Sequence, residues 1–130
     1  MLIITIRTDK PEAELGLYED SKKVTSLSWA AHRELSDTIH LKLAELLKNA
    51  NKDWPDIEGL VCYQGPGSFT GLRIGLTVAN TLAYSYGAKI VGETGNDWQS
   101  KGITKLLDGQ NDGQIMPEYG AEAHITQPRK

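Results

Sequence analysis

A run of eleven residues, Gly65-Pro66-Gly67-Ser68-Phe69-Thr70-Gly71-Leu72-Arg73-Ile74-Gly75, constrains this chain more than any other stretch. Before it, Ile57 to Tyr63 is apolar and β-branched; after it, the sequence to Tyr86 holds no helix breaker beyond Gly75. The first segment reads as a buried strand and the second as a helix, so the whole is strand, tight turn, helix. Pro66 fixes φ and Gly67 permits φ > 0, which lets the chain reverse sharply. Ser68 stands where an N-cap belongs, its hydroxyl placed to accept a first-turn amide. A turn of this kind ahead of a helix N-terminus is also an anion cradle. It is not a Walker A loop, because no Gly-Lys-Ser/Thr follows, and its glycine spacing is not a Rossmann fingerprint. A purely structural turn and a phosphate-bearing nucleotide held by Gly65, Gly67, Ser68 and Arg73 both stay open.

The helix that follows carries three stripes. Gly71, Gly75, Ala79 and Ala83 are small; Ile74, Val78 and Leu82 are bulky; Phe69, Leu72, Leu76 and, less strictly, Asn80 form the third. A surface helix needs one apolar face, and this one is apolar or small nearly all round. Either it is a central core helix, or one face packs on a sheet while another meets a second protein.

Ahead of the turn, Leu2 to Ile6, Ala13 to Tyr18 and Lys22 to Ala31 read as three strands with short polar breaks, an antiparallel meander. Ser36 to Ala50 reads as a helix with Ser36 at the N-cap and Asp37 favourable in the first turn. Leu35, Ile39, Leu43, Leu46 and Ala50 line one face of it, and Leu41, Ala44 and Leu47 widen that face. Ala88 to Gly92 adds a last strand. The order βββαβαβ predicts an α/β fold with a mixed sheet, the half-fold of actin-like and ribonuclease-H-like proteins.

The length, 130 residues, suits one core. Residues 1–107 are expected to form it, with a short helix between Gly95 and Leu107. The polar, glycine-rich stretch from Asp108 is expected as a flexible linker, and 108–130 together as linker and tail. A net charge of -3 gives no basic footprint for nucleic acid. The lone Cys62 suits a reducing compartment, and His32, His40 and His124 show no metal-ligand spacing. His124, Arg129 and Lys130 are a solvated terminus or a minor phosphate contact. No apolar run is long enough to span a membrane and no signal peptide is seen, so a cytoplasmic protein is expected.

The eleven-residue run resembles, without interruption, the signature of the TsaB (YeaZ) family, whose members serve the making of threonylcarbamoyladenosine in tRNA. The resemblance covers roughly Met1 to Glu93, and the family's actin-like fold agrees with the strand and helix order. It implies a non-catalytic scaffold that binds a TsaD-like catalytic subunit, acts beside a TsaE-like ATPase and reaches tRNA only indirectly. The implied partner interface is Phe69, Gly71, Leu72, Arg73, Gly75, Leu76, Ala79, Asn80 and Ala83 on the second helix, with Leu41 and Leu47 on the first. Substitutions such as Gly75→Leu or Ala79→Trp would then break association and spare the fold. No catalytic residue, metal ligand or required cofactor is implied for this chain; ATP and Mg would belong to the complex interface. A homodimer through the same helices competes with the mixed complex. A self-associating nucleotide-binding protein or a small hydrolase competes as a function.

The chain departs from the family at two places and in length. The family's Ile-Asp-Thr at the first strand stands here as Ile6-Arg7-Thr8, with Asp9 two residues late, so the best metal ligand has become a cation. The His-Ser-Glu often found at the first helix is represented by Leu35-Ser36-Asp37. Members of the family are typically longer, with a second actin-like lobe, so the resemblance implies a linker and tail in place of most of that lobe, and no inter-lobe cleft is expected.

Overall fold

The computed structural model describes residues 1–116, without the Phe69 side chain; the expected contacts of His124, Arg129 and Lys130 lie outside the described residues. Strands β1 (Leu2–Arg7), β2 (Glu12–Glu19) and β3 (Lys22–Ala30) form the antiparallel meander, followed by helix α1 (Leu35–Asn49). Then come β4 (Gly59–Tyr63), α2 (Phe69–Tyr86), β5 (Lys89–Glu93) and α3 (Trp98–Leu107). The five strands lie in the order β3-β2-β1-β4-β5, with β1 antiparallel to β2 and parallel to β4. This is a mixed sheet with helices on both faces, the actin-like, ribonuclease-H-like arrangement expected from the element order.

Alternation within β1 decides which residues meet which helices. Leu2, Ile4 and Ile6 face α1 and α2, where Ile39, Leu43 and Leu46 from α1 and Leu76, Ala79 and Leu82 from α2 complete the larger core. Ile3, with Val61 and Val91, faces the other side and meets Trp98, Ile103 and Leu106 of α3. Gly102 brings α3 close: an added Cβ there would lie 2.2 Å from a Val61 methyl. The Glu93 carboxylate, 7% exposed, fastens α3 through ion pairs with Lys101 at 3.6 Å and with Lys105. Cys62 lies wholly within the larger core, and burial pushes its thiol far above the usual range.

Two capping expectations have different outcomes. Ser68 does cap α2, accepting from the Gly71 amide at 3.5 Å, and Gly87 closes that helix in the left-handed region at φ 65°. Ser36 does not cap α1. A 3-10 turn at His32–Glu34 runs directly into the helix, which puts Glu34 at the N-cap and Ser36 inside the first turn. The entry is fixed instead by Thr38, whose hydroxyl donates to the Glu34 carbonyl at 2.8 Å and accepts from the Trp29 indole at 3.0 Å.

The stretch expected as a flexible linker is hydrogen-bonded along the outer edge of β5. The Asp112 amide donates to the Ile90 carbonyl at 2.8 Å, and the Asn111 side-chain oxygen accepts from the Ile90 amide at 3.1 Å. Its last described residues lie against α2, with Ile115 only 4% exposed. Among the described residues, no helix is long and apolar enough to cross a membrane.

Candidate functional site

The chain runs to β2 on one side of β1 and to β4 on the other, so the carboxyl ends of β1 and β4 are where an open sheet of this kind offers a crevice. The Gly65–Gly67 turn fills that place. Gly65 takes the positive φ, 121°, ahead of a cis peptide to Pro66. Gly67 does not, contrary to the expectation from sequence. Its missing side chain instead makes room for Asp9, whose Cβ would be 2.4 Å from an added Cβ. The Ser68 amide also donates to the Asp9 carbonyl at 3.3 Å, which ties the two turns together.

Asp9 itself is turned back on β1. Its carboxylate, 7% exposed, accepts from Arg7 Nε at 2.8 Å and from an Arg7 terminal nitrogen at 3.2 Å. The guanidinium carbon lies 3.9 Å from the centroid of the Tyr63 ring, a cation–π contact. The hydrogen bond to Asp9 holds the Arg7 pKa above its usual value. A divalent metal needs free carboxylates, and here the one at hand is neutralised by an internal cation. Among the described residues no three His, Cys, Asp or Glu side chains converge. The end of β1 therefore does not fit the metal that nucleotide-using actin-like folds place there. Arg7→Ala leaves Asp9 buried without its counter-charge and is expected to cost about 3 kcal/mol, checked by urea denaturation; an unmoved midpoint would show the pair to be idle.

Beside this closed turn lies an open cleft of about 500 Å³ on the α1–α2 side of the sheet. Lys10, His32 and Arg33 line it opposite Ser68 and Thr70, and no acidic residue does. The chemistry suits an anion, since the first turn of α2 also offers amides there. Sequence reasoning missed Lys10, in the β1–β2 turn, and the adjacent His32 and Arg33, after β3, which converge only through the sheet. Of the residues expected at a nucleotide, Ser68 reaches the cleft, while Gly65 and Gly67 belong to the closed turn. Arg73 lines the grooves flanking α2 rather than this cleft.

The expected partner residues divide by burial. Gly75, Leu72, Leu76, Ala79 and Ala83 are buried inside this chain, as is Leu47 of α1. The small stripe, expected to be covered only by a partner, is covered within the chain itself: Gly71 and Gly75 lie against Thr8, just after β1, and Ala79 and Ala83 are in the core. An added Cβ at Gly71 would be 2.0 Å from the Thr8 carbonyl oxygen, and at Gly75 2.1 Å from Thr8 Oγ1. Asn80 is half-buried and holds Ile115, while Phe69 opens α2. Leu41, 70% exposed, and Arg73 do lie on the outer surface. They are joined there by His40, Ala44, Thr77, Thr81 and Tyr84, which together make an exposed face across α1 and α2 that mixes apolar and polar groups with the Arg73 cation.

Comparison with known proteins places this geometry. The family described as TsaD: tRNA N6-adenosine threonylcarbamoyltransferase matches residues 29–94, just over half of the chain, from the end of β3 through β5. The tRNA N6-adenosine threonylcarbamoyltransferase of Trichodesmium erythraeum is 39% identical over 62 residues, 48% of this chain and 19% of that protein. The Escherichia coli tRNA threonylcarbamoyladenosine biosynthesis protein TsaB is 28% identical over 94% of this chain. The chain spans about half the length of that protein, 54%, and less of the longer relatives. In three dimensions, YeaZ from Pseudomonas aeruginosa superimposes with a TM-score of 0.68 at 15% identity, covering 99% of this chain and 71% of YeaZ. RuvC of Thermus thermophilus, in complex with a Holliday junction, shares the fold with a TM-score of 0.54 at 12% identity over 96% of this chain and 85% of its own. With its α1–β4–α2–β5 unit matched by one family and its length by TsaB, this chain belongs to the TsaD, or tRNA N6-adenosine threonylcarbamoyltransferase, family and is a TsaB-like member of it.

Proposed function

We propose that this chain is a non-catalytic subunit of tRNA threonylcarbamoyladenosine formation, which binds a TsaD-like catalytic paralogue through the outer face of α1 and α2. The observation that carries the reading is that exposed face, with Leu41, Ala44, Thr77, Thr81 and Tyr84 on its surface, on the same α1-to-β5 unit that matches the TsaD family. A paralogue presents an equivalent helix pair, so the two can meet about a pseudo-twofold axis, helices against helices. The Arg7–Asp9 pair supports assigning the chemistry to the partner, because it occupies the place of a metal-binding carboxylate. In this reading ATP, Mg and a TsaE-like ATPase act at the complex in the cytosol. The net charge of -3 favours reaching tRNA through the partner.

The test is size-exclusion chromatography with light scattering on this chain, alone and mixed with the tRNA N6-adenosine threonylcarbamoyltransferase of the same organism. A stable mixed species is expected. A homodimer that persists unchanged in the mixture assigns the face to self-association, and a monomer that ignores the partner with ATP and the ATPase present removes the scaffold reading.

A further inference from the structure

We propose that the strap Asn111–Met116 is the third element of the partner-binding face, so that a TsaD-like partner is held by α1, α2 and the strap together; this rests on the partner reading above. On the face of the sheet opposite α3, α1 lies over β2 and β3, α2 over β4, and the strap completes the layer beside β5. Its attachment is directed at backbone. The Asn80 side chain donates to the Ile115 carbonyl at 3.0 Å and accepts from the Ile115 amide at 2.9 Å, the two-point pairing that a neighbouring strand would make. Gln64 adds a bond to the Met116 carbonyl at 2.7 Å, and Ile115 enters the core shared with Leu76 and Ile90.

This seating gives α2 a groove on each side. One, of about 280 Å³, runs between α1 and α2 past Ile39, His40 and Ile74. The other, of about 470 Å³, runs between α2 and the strap past Leu76, Gln114 and Met116. Arg73 and Thr77 line both, so they form the ridge between them. No acidic residue lines either groove, and Met116 is 65% exposed at the far wall. The surface is therefore continuous from α1 to the strap, and a partner helix laid along α2 on its strap side meets Gln114 and Met116. Without the strap, that second groove has no outer wall.

The experiment compares the full chain with Asn80→Ala and with Ile115→Asp, measuring hydrogen exchange over 111–116 and affinity for the same-organism tRNA N6-adenosine threonylcarbamoyltransferase. Both variants are expected to exchange faster in the strap while exchange in β1 stays slow, and to bind about tenfold more weakly. Ile115→Asp unseats the strap from the core while leaving the Asn80 side chain in place, which separates a lost wall from the loss of Asn80 itself. Faster exchange with unchanged affinity overturns the strap's role and leaves the α1–α2 reading standing. No binding by the unsubstituted chain overturns both.

Discussion

Gly71→Ala is expected to lower the stability of this domain by about 3 kcal/mol, at the upper end of overpacking costs, read as a drop in the urea midpoint. Helix propensity alone favours alanine over glycine inside a helix by about 1 kcal/mol, so the close approach of α2 to β1 has to decide the sign. At Gly71 the obstacle is the Thr8 carbonyl oxygen, 2.0 Å from the added Cβ, which moves only if the backbone moves. At Gly75 it is the Thr8 side chain, with Oγ1 at 2.1 Å and Cγ2 at 3.0 Å. The two glycines should thus respond differently to Thr8→Ala. That substitution removes Oγ1 and Cγ2, at the loss of the Thr8 hydroxyl's bond to the Gly71 carbonyl at 2.7 Å, worth about 1 kcal/mol. Thr8→Ala should relieve Gly75→Ala in a double-mutant cycle and leave Gly71→Ala unrelieved. Equal coupling at both positions would mean that α2 is not seated on β1 in this way.

The largest expected effect on association comes from the outer surface. Leu41→Asp is expected to weaken binding to a TsaD-like partner at least a hundredfold, about 3 kcal/mol, while the thermal midpoint stays within a degree or two. Leu41 is 70% exposed, so the fold loses little, whereas an interface centre loses an apolar anchor and gains a charge without a counter-ion. Thr77→Trp, on the ridge of α2, should act in the same direction because its outward position admits bulk only when no partner is present. Gly75→Leu and Ala79→Trp, which sequence reasoning offers for this purpose, fail as tests. Both positions are buried against the chain's own sheet, and either change removes binding by unfolding. Undiminished affinity in Leu41→Asp and Thr77→Trp together would move the interface off the two helices.

Much of the fold is legible because it is set by neighbours in sequence. The meander follows from strand pattern and polar turns, and α2 is announced by Ser68 at its start. What escapes is what distant segments decide. Apolar or small groups nearly encircle α2, so its pattern does not say which stripe faces inward; the Thr8 backbone, over sixty residues away, makes that choice. Asp9 reads as a misplaced metal ligand until Arg7 is seen holding it. Asn111 and Asp112 read as a flexible, hydrophilic stretch because the edge they cap, at Ile90, is invisible from their own surroundings. The cleft lined by Lys10, His32 and Arg33 escapes for the same reason.

The central place of β1 also bears on how the domain is made. The strand pairs with β2 across a short turn, but its parallel neighbour arrives only when Gly59 comes to lie beside Ile3. Until then Leu2-Ile3-Ile4-Thr5-Ile6 presents one bare edge of high β-propensity, the kind that recruits other chains. Chain closure has to precede the reward for that pairing, which makes the β1–β4 contact the slow, entropy-limited step. A nascent chain halted before Tyr63 is thus an aggregation hazard rather than a smaller domain, and the glycine turn is made only after that hazard has passed.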